Sequence, residues 1–224
     1  MFYYAVRNGH KPGVYYTWDD CKAQVQGYPN AIFKKFNSEQ QAIDFVNNDP
    51  ETPVTKSNET KTKNYPYVYV DGSFNESIHL YGYGGLLFDG KQYHLIQGSN
   101  TNEEMASMRN VAGEICGTVE AVKTAVSLSI KDLTVYYDYE GIRSWATKNW
   151  KPRRQGTIEY VQFMRSQNIN LKFEHVEAHT GVIGNEYADV IAKKAVGINL
   201  TKTQRLLYFD ALKLCGLTYT EDEQ

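Results

Sequence analysis

Four acidic residues stand out in this chain by position rather than by type. Asp71 closes the aromatic and β-branched run YPYVYVDGS (65–73), and Glu114 sits among the apolar positions 111–115 of a helical pattern. Asp138 ends LTVYYD (133–138), and Asp189 falls in the first turns of NEYADVIAKKA (185–195). If the two runs are neighbouring strands, Asp71 and Asp138 lie side by side. A helix packed on the sheet then presents Glu114, and the last helix adds Asp189. Converging carboxylates with no Cys or His cluster among them suit a hard cation with oxygen ligands, Mg²⁺ or Mn²⁺. Two such ions about 3.5–4 Å apart clamp a phosphodiester, one activating water and the other stabilising the leaving oxygen. Singly, each acid has an ordinary explanation as a loop former, a boundary residue or a first-turn acid favoured by the helix dipole. Their joint placement is what those explanations leave over.

A second group of residues carries a different chemistry. From Gly141 to Ile158 the chain holds Arg143, Lys148, Lys151, Arg153 and Arg154, with Trp145 and Trp150 interleaved and no acid after Glu140. Cations set among aromatic rings suit phosphate contact and stacking on sugars or bases. The plainer alternative is a solvated face over two core tryptophans. His179 stands in a loop with Gly181 and Gly184, where an imidazole can relay a proton or help product leave. His175, in the neighbouring apolar run, reads as structural.

These groups need a sheet with helices packed on it, and the pattern supplies one. YGYGGLLF (81–88) and KQYHLIQG (91–98), joined at Asp89–Gly90, read as a hairpin that continues the first strand into an antiparallel meander. Met108, Val111, Ala112, Ile115, Val119, Val122 and Val126 recur at helical spacing and predict one long amphipathic helix over 104–128. LTVYYD is a buried-type strand. Helical stretches near 140–148 and 156–167, a fifth strand at INLKFEHV (169–176) and a closing helix follow. The expectation for 65–197 is an α/β fold, a mixed five-stranded sheet with flanking helices. Beyond it, QRLLYFDALKLCG (204–216) predicts a helix with Arg205, Asp210 and Lys213 as a polar stripe, docked on the body within a C-terminal extension, 198–224. The acidic EDEQ end is expected to fray.

Residues 49–64, DPETPVTKSNETKTKN, have the composition of an exposed linker. Before it, FYYAV (2–6), the turn signal NGHKPG (8–13) and VYYTW (14–18) predict a hairpin, and AIFKKF (31–36) a third strand. Thr17 caps a helix that ends at Gly27, and Ser38 with Gln41 forms a capping-box pattern ahead of QQAIDFV. Residues 1–48 are thus expected to form a small three-stranded α/β module.

Composition bounds the rest. A hydrophobic fraction of 42% and a charged fraction of 22% over 224 residues exclude a disordered or fibrous chain. No run of 18 apolar residues appears, so no membrane span is expected. Arg7, His10, Lys11, Asp19 and Asp20 interrupt the first twenty residues, unlike a secretory leader. The three scattered cysteines, Cys21, Cys116 and Cys215, make neither a disulfide frame nor a zinc pattern, and a reducing, cytoplasmic setting is expected. A net charge of −2 confines any nucleic-acid contact to local patches.

The strings YVYVDGS (67–73), RNVAGE (109–114), TVYYD (134–138) and HTGVIGNEYAD (179–189) resemble, in order, the type 1 ribonuclease H family. The resemblance spans about 65–197 and places the family's four metal-binding acids on Asp71, Glu114, Asp138 and Asp189. Residues 2–48, through FYYAVRNGHKPGVYYTW (2–18) and IFKKF (32–36), resemble the hybrid-binding domain of cellular ribonucleases H, also found in a caulimovirus protein. The resemblance implies an endoribonuclease that cleaves the RNA strand of RNA–DNA hybrids with two Mg²⁺ ions, Mn²⁺ a possible substitute, leaving 5′-phosphate and 3′-hydroxyl ends. It implies that Asp71 bridges both ions, that Glu114 and Asp138 hold one, and that Asp189 holds the other. Glu114 is also implied to touch a ribose 2′-hydroxyl, the group that distinguishes RNA from DNA.

The same resemblance gives His179 a catalytic role and Asn110 a minor-groove contact. It puts Asn185 near the metals, Ser73 and Asn75 near the RNA backbone, and Trp145 and Trp150 along a channel for the DNA strand, with Lys151 and Arg153 of the basic run as candidate phosphate contacts beside them. In the N-terminal domain it implies hybrid contacts from Tyr4, Trp18, Phe33, Lys34 and Lys35, to which Arg7, His10 and Lys11 could add phosphate contacts. Duplex RNA is a second candidate ligand of that domain, and a monomer is the default expectation. Two alternatives stay open: a hybrid or duplex-RNA binder with a silent nuclease domain, and another polynucleotidyl transferase, such as a resolvase or integrase, on the same fold.

Overall fold

The computed structural model describes residues 2–29, 31–47, 65–177 and 181–218. The expected linker, 49–64, and the EDEQ end lie outside the described residues. The chain divides into two units, Met1–Lys61 and Thr62–Gln224.

In the first unit β1 (Tyr3–Asn8) is the middle strand, flanked antiparallel by β2 (Gly13–Tyr15) and β3 (Ile32–Phe36). The predicted hairpin and third strand are both present. The helix α1 (Trp18–Val25) starts where Thr17 accepts a hydrogen bond from the Asp20 N–H at 3.2 Å, which satisfies one of the unpaired donors of its first turn. The helix α2 (Glu39–Asn47) completes the unit. Its fully buried apolar side chains are small: Ala5, Val6, Cys21 and Ala42.

The second unit contains a five-stranded sheet in the order β6-β5-β4-β7-β8. Strands β4 (Tyr67–Asn75), β5 (Leu80–Phe88) and β6 (Tyr93–Asn100) form the antiparallel meander. Strands β7 (Asp132–Tyr137) and β8 (Asn170–His175) add in parallel beside β4. Alternation along β4 sends Val68 and Val70 into a core shared with Ile115, Val122, Leu133, Val135 and Tyr160. That core lies under α4 (Asn110–Ser127), α5 (Gly141–Ala146) and α6 (Gln155–Ser166). A second cluster joins Leu86, Val190 and Ile191 to Tyr208, Ala211 and Leu212. It docks α7 (Ile183–Ala195) and α8 (Lys202–Leu214), as expected for the C-terminal helix. Thr201 and Gln204 cap α8 reciprocally. Arg205, Asp210 and Lys213 face solvent as predicted, and Leu206 and Leu214 are exposed as well. No helix among the described residues is long and apolar enough to cross a membrane.

One expectation needs correction. The predicted helix over 104–128 is two helices, α3 (Glu103–Ala106) and α4. Asn102 caps the first turn of α3, and Met108 and Arg109 close tight turns on Met105 and Ala106. Arg109 then takes a positive φ of 54° before α4 begins at Asn110.

Candidate active site

Asp71, Glu114 and Asp138 come together: each offers a carboxylate oxygen, and these oxygens lie within 4.8 Å of one another. The β4–β7 ladder explains the meeting. Its last register pair is Tyr69 with Tyr136, and both aspartates come two residues later, past the last pair. Glu114 reaches the pair because α4 lies directly on the backbone of β4. A Cβ on Gly72 would overlap the Asn110 carbonyl and the Glu114 amide, and one on Gly113 would overlap the Gly82 carbonyl. Only glycine at both positions permits that approach. On the other side, a Cβ at Gly84, the register partner of Asp71, would overlap the backbone of Ala188 and Ala192 in α7.

Burial dominates the electrostatics. Burial pushes the Asp71 carboxyl well above its usual range, and the charges of Asp138 and Asp189 push the same way. The Gly72 N–H, donating to Asp71 Oδ1 at 2.7 Å, and the nearby Lys193 oppose the rise. Glu114, 1% exposed, is raised by burial first and then by Asp138 and Asp71. Its Oε2 is buried with no hydrogen-bond partner among the described residues. A buried carboxylate oxygen left in that condition is costly. Three hard oxygen donors with one unpaired oxygen fit a divalent cation.

Asp189 stands outside that trio. Its Oδ2 accepts a hydrogen bond from Lys193 Nζ at 2.7 Å, while its charge is still felt at Asp71. Lys193 was absent from the sequence-derived set, although an acid followed by a lysine four residues later on a helix is a readable signal. Asn185 lies one turn before Asp189 and is buried, with Oδ1 unpartnered among the described residues. His179 lies outside the described residues. His175 meets the Asp138 carbonyl at 3.1 Å, in keeping with its structural reading.

Asn110 is exposed at the start of α4, one turn from Glu114, and Ser73 is buried on β4. The Asn75 amide has a task within the fold: it donates to the Val196 carbonyl at 2.9 Å, and its Oδ1 accepts from the Ser77 N–H. Trp145, Trp150 and Tyr139 form a ring cluster with centroid separations of 5.8–6.4 Å. Trp150 is 43% exposed, while Trp145 is half-buried and packs against the main core. Beside them a groove of about 340 Å³ is lined by Trp145, Tyr139, Lys151, Arg153 and Arg154. Arg154 donates to Ser107 Oγ at 2.8 Å across it.

In the first unit Tyr4, Trp18 and Phe33 form a row with spacings of 5.7 and 5.8 Å, and Trp18 and Phe33 are each 43% exposed. These rings do not fill the core. Lys35 Nζ sits 3.4 Å over the Phe2 ring and 5.9 Å from the Tyr4 ring, Lys34 lies 5.9 Å from Phe36, and Lys11 is exposed in the turn. Arg7 is engaged internally: Nε donates to the Phe45 carbonyl at 2.7 Å, and the guanidinium lies 4.1 Å over the Phe45 ring.

Both units of the chain are similar to known proteins. Residues 2–46 match the family described as the Ribonuclease H1 N-terminal domain, and residues 63–197 match the RNase H family. Ribonuclease H1 of Homo sapiens is 24% identical over 255 aligned positions, covering 86% of this chain and 88% of that protein. Ribonuclease H of Saccharomyces cerevisiae is 57% identical over 44 residues, covering 20% of this chain and 13% of that protein. The solved structure of RNase H1 from Halobacterium salinarum is 19% identical, with a TM-score of 0.48, covering 59% of this chain and 98% of that one. With the RNase H match spanning more than half its length, the chain belongs to the ribonuclease H family.

Proposed function

We propose that this ribonuclease H hydrolyses the RNA strand of RNA–DNA hybrids, leaving 5′-phosphate and 3′-hydroxyl ends, with two Mg²⁺ ions as cofactor. The observation that carries the reading is the acid trio with the unpaired Oε2 of Glu114. Asp71, Glu114 and Asp138 would hold one ion, and Asp71 with Asp189 the other. When bound, the ions supply an activated water and neutralise charge at the scissile phosphate. The chain's own residues do the rest. Asn110, beside Glu114, contacts the minor groove of the hybrid. Trp145, Trp150, Lys151, Arg153 and Arg154 hold a strand by stacking and phosphate contact. Lys193 holds the Asp189 carboxylate while no metal is bound. Trp18, Phe33 and Lys35 grip the duplex from the N-terminal unit. The name and coverage of the human relative support a ribonuclease.

The test is cleavage of an end-labelled RNA–DNA hybrid beside duplex RNA, duplex DNA and single-stranded RNA, each with Mg²⁺ or EDTA. Metal-dependent loss of the hybrid's RNA strand alone is the expected result. Binding without cleavage in Mg²⁺ or Mn²⁺ would make the chain a binding protein, and cleavage of duplex DNA would make it a different polynucleotidyl transferase.

A further inference from the structure

Tyr69 and Tyr136 face each other as the last register pair between β4 and β7. Their rings stack with centroids 4.5 Å apart and planes 14° from parallel. Each stands two residues before an acid, so strand alternation puts Tyr69 on the face of Asp71. The stack is therefore the last paired contact before the two aspartates. Its surroundings fix it further. The Tyr136 hydroxyl meets that of Tyr65 at 3.1 Å, and Tyr67 packs edge-on against Tyr69 at 5.9 Å. The Tyr67 hydroxyl is joined in turn to that of Tyr93 at 2.8 Å.

Tyr69 has a second contact that a spacer between strands would not need. A Cβ added to Gly184 would run into its ring, so the first turn of α7 rests its backbone on that ring. Asn185 is the next residue, and Asp189 lies one turn beyond it. One ring thus touches the strand that carries Asp138 and the helix that carries Asp189, and it belongs to the strand that carries Asp71.

We propose that the Tyr69–Tyr136 stack is a positioning device for metal binding: it sets the spacing of Asp71 and Asp138 and seats the helix that delivers Asp189. This rests on the metal-dependent reading above. Neither ring touches the reacting atoms, so both are positioning residues. Their loss should appear as a weaker hold on metal rather than as a slower step at saturating metal.

The experiment compares Tyr69→Leu, which removes the ring, with Tyr69→Phe, which keeps it, in the full chain. Mg²⁺ binding is measured calorimetrically without substrate. The Mg²⁺ concentration for half-maximal hybrid cleavage, the Tm in EDTA and the hybrid Kd in EDTA are measured beside it. The expected result is that Tyr69→Leu needs about tenfold more Mg²⁺ by both measures, while Tyr69→Phe stays close to the parent. Hybrid affinity in EDTA should be the same for both. Equal Mg²⁺ affinity for the Leu and Phe variants would overturn the proposal, because a merely structural ring would change Tm alone. If Tyr69→Leu does not fold, Tyr136→Leu is read by the same measures against Tyr136→Phe. A parent protein that binds Mg²⁺ but leaves hybrid intact would sink the substrate reading alone, while the calorimetry still decides on the stack.

Discussion

The two units of this chain differ in what they bury. In the N-terminal unit the buried core is Ala5, Val6, Cys21 and Ala42, and the large rings of Trp18 and Phe33 stand outside. In the larger unit Tyr81, Tyr137 and Tyr160 are buried, and so are Asp71 and Glu114 of the acid cluster. The difference follows from size: a small module cannot enclose many large rings, and rings left outside beside lysines are what a contact surface would use. The larger unit can enclose Glu114 and leave one of its oxygens unpaired, which favours a cation in that place. On the proposed reading one surface works by exposure and the other by burial, so substitutions in the two should fail differently.

Asp138→Asn should produce the largest effect. Removing one of three clustered carboxylates should cost several kcal/mol of transition-state stabilisation, so cleavage should fall by about a thousandfold or more. Hybrid affinity measured in EDTA should be unchanged. Retained cleavage would separate the acid trio from the chemistry. Gly113→Ala comes next. The added methyl would meet the Gly82 carbonyl, backbone that cannot rotate away. Overpacking of this kind costs about 1–3 kcal/mol, and a shift of Glu114 by about 1 Å should lower the rate about a hundredfold. Thermal melting beside a rate measurement checks both, and an unchanged rate would show that Glu114 does not depend on that backbone contact.

Glu114→Gln sharpens the burial side by its sign. In EDTA the folded Glu114 carboxyl titrates well above 4.5, the value expected when unfolded. The folded state therefore holds this proton more tightly, and stability from this group is full below about pH 4.5. It falls as pH rises toward the folded pKa. At neutral pH without metal, Glu114→Gln should be more stable than the parent by about 1–3 kcal/mol, the scale of an unsatisfied buried group. The gain should vanish at acid pH. A melting series against pH in EDTA would show it, and a variant less stable at every pH would refute the account.

The sequence made the acids legible because each sits at an element end or on a helix face, where period and position are visible. The antiparallel meander, the N-terminal hairpin and the docking of the last helix followed from the same patterns. Contacts made through backbone left little trace. The apolar spacing of Met108, Val111 and Ala112 runs straight through the break at Arg109, whose positive φ no residue type announces. Gly72, Gly84 and Gly113 read as turn or strand glycines until the helices are seen lying on them. Arg7 and Asn75 looked available for phosphate and backbone contacts by type, yet the fold occupies them with Phe45 and Val196. Polar side chains declare what they can bond, not which partner the fold brings to them.

The smallest effect tests the exposed side. Trp18 lies between Tyr4 and Phe33, tilted against each at 5.7 and 5.8 Å, while 43% of it faces solvent. Because 43% of it is exposed, Trp18→Ala should lower Tm less than the loss of a fully buried ring would. If the row is a stacking surface, the loss is about 1–3 kcal/mol of binding, roughly tenfold or more in hybrid Kd. The dependence of Kd on salt should keep its slope, because a ring neutralises no phosphate. Lys35→Ala, beside Tyr4 at the end of that row, should weaken binding and lower the slope by about one. Should Trp18→Ala instead melt several degrees lower with unchanged Kd, the ring belongs to the core after all, and the contrast between the units fails at this point.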